Sequence, residues 1–247
     1  MSLIAENCKR LIDAYKNGLL GDTTMPEESN PGFTVKEKEQ RFSYFTLPMA
    51  LNYQRNSYKL WEAALATYKD AKTNVVFDVK WVANNSEEVL RRKLLKHKLA
   101  LQPNKHVNTW FRVANTVHNN WGTFSNLFDS IENDFLKLKD IVQKEHKKGF
   151  PYLSGPKIFN YWSHILIEYA GLSLENTEYI EIAPDTHVMQ ASVRLGLITK
   201  GEAEAMSKED VNKRWRGVLK DTGITPIEMH SPLWFWSRSG FEYELDS

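Results

Sequence analysis

Apolar residues recur at three- and four-residue intervals along most of this chain, while sustained period-two alternation is rare. The pattern therefore predicts helices almost throughout. Residues 3–20 form one amphipathic run that stops near Gly21, and 21–35 (GDTTMPEESNPGFTV) are rich in turn formers and predict a loop. Helical spacing returns at Glu37 and runs into RFSYFTLPMALNYQ, where Pro48 predicts a break or restart. LNYQRNSYKLWEAALATYKDA then reads as a helix pair or one long helix, with Tyr53, Leu60, Trp61, Ala64 and Leu65 on its buried side. The Val-Val-Phe-Asp-Val within KTNVVFDVKWVANN resembles a strand in isolation. It has no partner strand among its helical neighbours, so a short helix or irregular link is expected.

Further on, Ser86 is placed as an N-cap, with Glu87 and Glu88 in the first turn where a helix dipole favours acids. The basic helix EEVLRRKLLKHKLAL follows, ended by Pro103, and Asn108 and Thr123 are expected to cap two more helices. Asp134–Lys147 is helical and feeds a tight turn, Leu153-Ser154-Gly155-Pro156-Lys157. Gly155 is expected to take backbone angles closed to other residues, and Pro156 to pre-set the first helical turn. The helix from Ile158 to about Ala170 places Ile158, Tyr161, Trp162, Ile165, Leu166 and Tyr169 on one face before Gly171 stops it. Asp185 then opens THVMQASVRLGL, which Gly196 closes. Ser207 caps VNKRWRGVLKDT, and the aromatic end PIEMHSPLWFWSRSGFEYELDS reads as irregular. The fold class is all-α, with one large domain or two closely packed helical subdomains.

A hairpin between two helices with a lysine opening the second, followed by Pro184-Asp185-Thr186-His187-Val188, resembles the helix-hairpin-helix DNA glycosylase superfamily. Lys157 and Asp185 are 28 positions apart, and the hairpin is short; both features are most similar to the archaeal 8-oxoguanine DNA glycosylase subfamily, an N-glycosylase/DNA lyase. Two outlying blocks resemble it in the same order. PMALNYQRNSYKLWEAALATY is similar to its first helix pair, and GITPIEMHSPLW to its closing segment. The resemblance implies a single glycosylase-like unit over 1–247, with the hairpin and catalytic segment at about 150–197.

Composition adds exclusions. A charged fraction of 26% and a hydrophobic fraction of 42% describe an ordinary globular protein, and no apolar run reaches the ~20 residues that cross a bilayer. No secretory pattern is read at MSLIAENCKRLID, so a cytoplasmic setting and no membrane partner are expected. One cysteine, Cys8, permits neither an internal disulfide nor a cysteine-ligated iron–sulfur cluster. With a net charge of +1, any anion-binding surface must come from segregated charge. The eight tryptophans are expected mostly in the core.

What the resemblance implies about chemistry is specific. Lys157 is the nucleophile that attacks the sugar anomeric carbon and forms a Schiff base, and Asp185 is its acid–base and electrostatic partner. Trp234 stacks on the extruded base, Trp81 is a second candidate for stacking, and Gln54 reads the base edge. His230 stands where the subfamily has an aspartate, four residues before the tryptophan, and offers one donor and one acceptor instead of two acceptors. Backbone N–H groups around Ser154 and Gly155 suit a phosphate, and Arg91 and Arg92 on the basic helix supply nonspecific attraction to DNA. His187 is expected to hydrogen-bond nearby backbone. No cofactor or metal is implied, and a monomer acting on damaged DNA is expected. Taken alone, Asp185 reads as a helix cap and Lys157 as a surface lysine. The alternatives are thus a glycosylase for another damaged base, a non-catalytic DNA-binding protein of the same motif, or a purely structural helical scaffold.

Overall fold

The computed structural model describes residues 2–245. The all-α expectation is met: thirteen α-helices and several short 3-10 turns account for the regular structure, and no strand occurs among the described residues. In chain order the helices are α1 (Leu3–Lys16), α2 (Lys38–Leu51), α3 (Ser57–Lys69), α4 (Val79–Ala83), α5 (Glu87–Lys96), α6 (Pro103–Trp121) and α7 (Phe124–Ser130). They continue with α8 (Phe135–Asp140), α9 (Pro156–Glu168), α10 (Thr186–Arg194), α11 (Lys200–Ala205), α12 (Lys208–Leu219) and α13 (His230–Arg238). A π-helical turn, Ile141–Glu145, extends α8. The chain divides into two compact units, Met25–Asn176 and the combination of Met1–Thr24 with Thr177–Ser247.

The Met25–Asn176 unit is built around α2, whose residues Phe42 to Leu51 are all buried. That burial explains why Pro48 does not break the helix as expected. One missing backbone hydrogen bond is outweighed by packing on every side, which stabilises helices more than local propensity does. Trp61, Trp110 and Trp162 fill this core, and two of them satisfy their indole N–H there: Trp110 donates to the Val76 carbonyl at 2.8 Å and Trp162 to Thr46 Oγ1 at 3.0 Å. Such partners matter because a buried N–H left without one costs ~1–3 kcal/mol. In the other unit Trp215 donates to Ser192 Oγ at 3.1 Å, and Tyr15 of α1 stacks on Phe235 of α13 at 5.8 Å. Cys8 is fully buried, and burial pushes its thiol up to about 12, so it is an inert packing residue.

Several boundaries differ from expectation, each for a local reason. Pro103 opens α6 at its first position instead of closing α5, which ends at Lys96 with Lys98 in the left-handed region. Asn108 therefore lies inside α6 and caps nothing. Tyr53 is not buried: it sits in the loop between α2 and α3 at 37% exposure, and α3 starts afresh from Asn56, which accepts from the Lys59 N–H. The segment Pro226–Arg238 is helical and not irregular, because Pro226–Met229 winds as a 3-10 turn that leads directly into α13.

The expected loop 21–35 holds a 3-10 turn, Pro26–Glu28, that buries Glu27 to 1% exposure. Its Oε1 accepts from the Tyr161 hydroxyl at 3.3 Å, and burial pushes the carboxyl up to about 7. Because the folded pKa exceeds the ordinary glutamate value of 4.5, the folded state holds the proton more tightly than the unfolded chain. The contribution of Glu27 to stability is therefore fully present below about 4.5, is lost as pH rises through about 7, and amounts to roughly 3 kcal/mol in all. Glu27→Gln is expected to flatten the pH dependence of Tm and to raise Tm at pH 8. An unchanged profile by calorimetry would show that Glu27 ionises without cost.

Candidate functional site

Lys157 lies in the Met25–Asn176 unit and Asp185 in the other. The turn before α9 is a compact knot. Ser154 donates its N–H to the Phe150 carbonyl at 2.9 Å, Gly155 donates to the Tyr152 carbonyl at 3.0 Å, and Gln143 of the π turn donates to the Ser154 carbonyl at 3.2 Å. The residue in the left-handed region is Tyr152 (φ 63°), not Gly155, which is extended at φ −69° and ψ 136°. Glycine at 155 is explained by space: a Cβ there would lie 3.2 Å from the Tyr152 carbonyl oxygen. Pro156 occupies the first position of α9, as expected, and Lys157 follows it with an exposed side chain. The N–H groups of Ser154 and Gly155 are spent inside the turn, so a phosphate here would meet the first turn of α9 instead.

Tyr152 and Tyr53 stack at 5.0 Å between ring centroids with planes 25° apart, and Lys105 Nζ lies 5.6 Å from the Tyr53 ring. This contact sets the loop carrying Gln54 beside the hairpin carrying Lys157. Gln54 is exposed and left-handed (φ 50°), a conformation that is uncommon outside glycine. Helical spacing predicts Tyr53 on a buried face and so gives no sign of the ledge it forms with Tyr152 and Lys105. Next to Lys105, His106 is buried and accepts from the Leu101 N–H at 3.1 Å. Burial, with Arg55 and Lys105 nearby, pushes its pKa down to about 4, so it stays neutral at ordinary pH.

Trp81, Arg91 and Arg92 belong to the same unit but to a different cluster. Lys93 Nζ covers the Trp81 ring at 5.4 Å, occupying a face that a base would need. Arg91 reaches Glu88 at 3.4 Å and Glu87 at 3.8 Å and donates to Asn104 Oδ1, while Lys96 and His97 both bind Asp70. The basic helix is thus largely neutralised locally, with Arg92 the exposed remainder of the pair.

In the other unit, Asp185 is half-buried and caps α10: its Oδ1 accepts from the Val188 N–H at 3.0 Å. α10 packs along α13, which brings the Asp185 helix and Trp234 together. His187 Nδ1 lies 3.1 Å from Ser237 Oγ, so it bonds a side chain of α13 and not backbone as expected. Its ring meets the half-buried Trp234 edge to face at 5.2 Å, and the Arg238 guanidinium lies 5.0 Å from the Trp234 centroid. His230, at the head of α13, is 6% exposed. Trp234 is one of three tryptophans that are not fully buried, with Trp81 and Trp121; the core takes the other five. Compared with known proteins, the chain matches no family model and no curated protein sequence.

Proposed function

We propose that this chain is a DNA repair glycosylase with associated lyase activity, excising an oxidised purine, with 8-oxoguanine the first substrate to test. The observation that supports this most is the placement of the two residues singled out by the family resemblance. Lys157 and Asp185 each open a helix with the side chain accessible to solvent, outside the packed core. In this reading the Lys157 amine, in its neutral form, bonds to the sugar anomeric carbon, and the base leaves with the electron pair of the glycosidic bond and takes up a proton. The nitrogen then loses a proton and expels the ring oxygen, which takes up a proton as a hydroxyl, to give the imine; loss of a proton from the neighbouring sugar carbon and expulsion of the 3′ phosphate then nick the strand. The Asp185 carboxylate stabilises the positive charge that develops on the sugar. Trp234, half-buried, is the stacking candidate in this reading; Arg238 lies over its ring at 5.0 Å, as Lys93 does over Trp81, and must move aside for a base to stack.

A second reading is favoured by the cap itself. Asp185 already has a structural task in binding the Val188 N–H, which is what a DNA-binding protein without catalysis would require of it. The two readings part on borohydride reduction during reaction with a duplex bearing one 8-oxoguanine, repeated on a duplex with an abasic site. Covalent complex on both supports the full proposal. Complex on the abasic duplex alone keeps the lysine chemistry and discards the substrate, pointing to His230. Complex on neither leaves a DNA-binding role at most.

A further inference from the structure

The chain that leads into the hairpin carries a second feature, beside the π turn. The last turns of α6 and the segment Lys144–Gly149 enclose an open groove of about 660 Å³, lined by Asn115, Thr116, Asn119 and Asn120 on one side and by Lys144, His146, Lys147 and Lys148 on the other. It exists because Gly149 lets the two strands of chain touch: a Cβ there would lie 2.4 Å from Thr116 Oγ1. The π turn adds a residue to the helical winding, and His146 closes it by donating to the Ile141 carbonyl at 2.8 Å. Turns of this kind are frequent at functional sites.

The groove offers two kinds of polar group. Lys144, Lys147 and Lys148 are all exposed; the acids facing them are Glu145, which also lines the groove, and Asp140, 2.7 Å from Lys144. Positive charge is in excess. Asn115 and Asn120 each donate their amide to a carbonyl one turn back, at 2.7 Å, which leaves the amide oxygens as the acceptors on offer. Trp121 packs edge to face against His146 of the lining, with ring centroids 5.1 Å apart. Ammonium donors suit phosphate, and amide oxygens suit the N–H edges of bases; an acidic peptide would use the first set and leave the second unanswered.

We propose that this groove is a second nucleic-acid site, holding the phosphate backbone of a strand that also meets the hairpin. The hairpin and the groove share one frame, since Gln143 ties the π turn to Ser154 and residues 146–149 run directly into Phe150. The proposal rests on the reading of this chain as DNA-acting, and it does not depend on which residue does the chemistry.

The test compares wild type, the triple variant Lys144→Gln/Lys147→Gln/Lys148→Gln, and a control with the same charge loss elsewhere, Lys59→Gln/Lys69→Gln/Lys80→Gln. Binding to a short fluorescent duplex with an abasic site is followed from about 50 to 200 mM salt, and borohydride trapping is run at saturating protein. Three lost phosphate contacts are expected to reduce the slope of log affinity against log salt by about 2–3 and to weaken low-salt binding by about tenfold or more, with the control close to wild type. Trapping at saturation should persist in the triple variant, which also shows that it is folded. If wild type binds and traps but the triple variant keeps its slope, the groove assignment is overturned and the glycosylase reading stands. If the triple variant loses slope but no protein traps, the groove stands and the lyase reading falls. Failure of wild type to bind DNA, or an equal loss in the control, overturns the groove; polyglutamate binding without DNA binding would reassign it to an acidic peptide.

Discussion

Lys157→Ala is expected to abolish covalent trapping on DNA, with no loss of stability. The side chain is exposed at the second position of α9, and surface truncations of this kind usually change stability by no more than ~0.5 kcal/mol. A helix start carries partial positive charge, which disfavours a lysine there by ~0.3–1 kcal/mol and offsets part of what its other contacts add. Chemistry, by contrast, depends wholly on the amine, because alanine has no atom that can form the imine. Lys157→Arg separates the two readings of the position. A guanidinium keeps the cation and its reach to phosphate but is not a nucleophile at neutral pH, so the arginine variant should bind DNA like wild type and trap none of it. If Lys157→Ala still traps, the nucleophile lies elsewhere and the assignment of this residue fails. If wild type traps nothing and Lys157→Ala only weakens binding, Lys157 is a phosphate contact.

Local chemistry made some of this structure legible from sequence. Ser86, Thr123, Asp185 and Ser207 all cap helices as expected, because a cap is one side chain answering a backbone N–H two or three residues away. Gly171 and Gly196 both take the positive φ that their helix ends require. Proline was less readable, since its meaning depends on its surroundings. Pro48 lies inside a helix buried on all sides, and Pro103 starts a helix where a stop was expected. Contacts between distant segments left no trace in periodicity. Tyr53 and Tyr152 are about a hundred positions apart, and neither an exposed tyrosine in a loop nor a left-handed one in a turn is announced by its neighbours. The π turn was hidden for a related reason: its sequence, IVQKE, is compatible with ordinary helix, and the extra residue is revealed only by where the hydrogen bonds close. The helix starts at Lys157 and Asp185 were thus legible as local features, while the aromatic ledge of Tyr53 and Tyr152 and the groove along α6 required the fold.

Asp185 supports the second large expected effect, because its structural and chemical tasks can be separated by one atom. Asparagine caps helices about as well as aspartate, so Asp185→Asn should keep the bond to the Val188 N–H and leave Tm nearly unchanged. It removes the negative charge, however, and with it both the stabilisation of a cationic sugar and any acceptance of a proton. Base release should fall by about 10²–10⁴-fold, the usual range for a lost acid–base group. Asp185→Ala removes both tasks. It should show the same kinetic loss together with ~0.5–2 kcal/mol of destabilisation at the head of α10, or a few degrees in Tm. Loosening α10 also loosens His187, which is held between Ser237 and Trp234, so the alanine variant should bind a duplex with an extruded base less well than the asparagine variant does. Single-turnover base release and calorimetry on the two proteins separate the cases. A slow but stable Asp185→Asn assigns the carboxylate to chemistry. An active Asp185→Asn beside a destabilised Asp185→Ala reduces Asp185 to a cap and leaves Lys157 to act with a different acid.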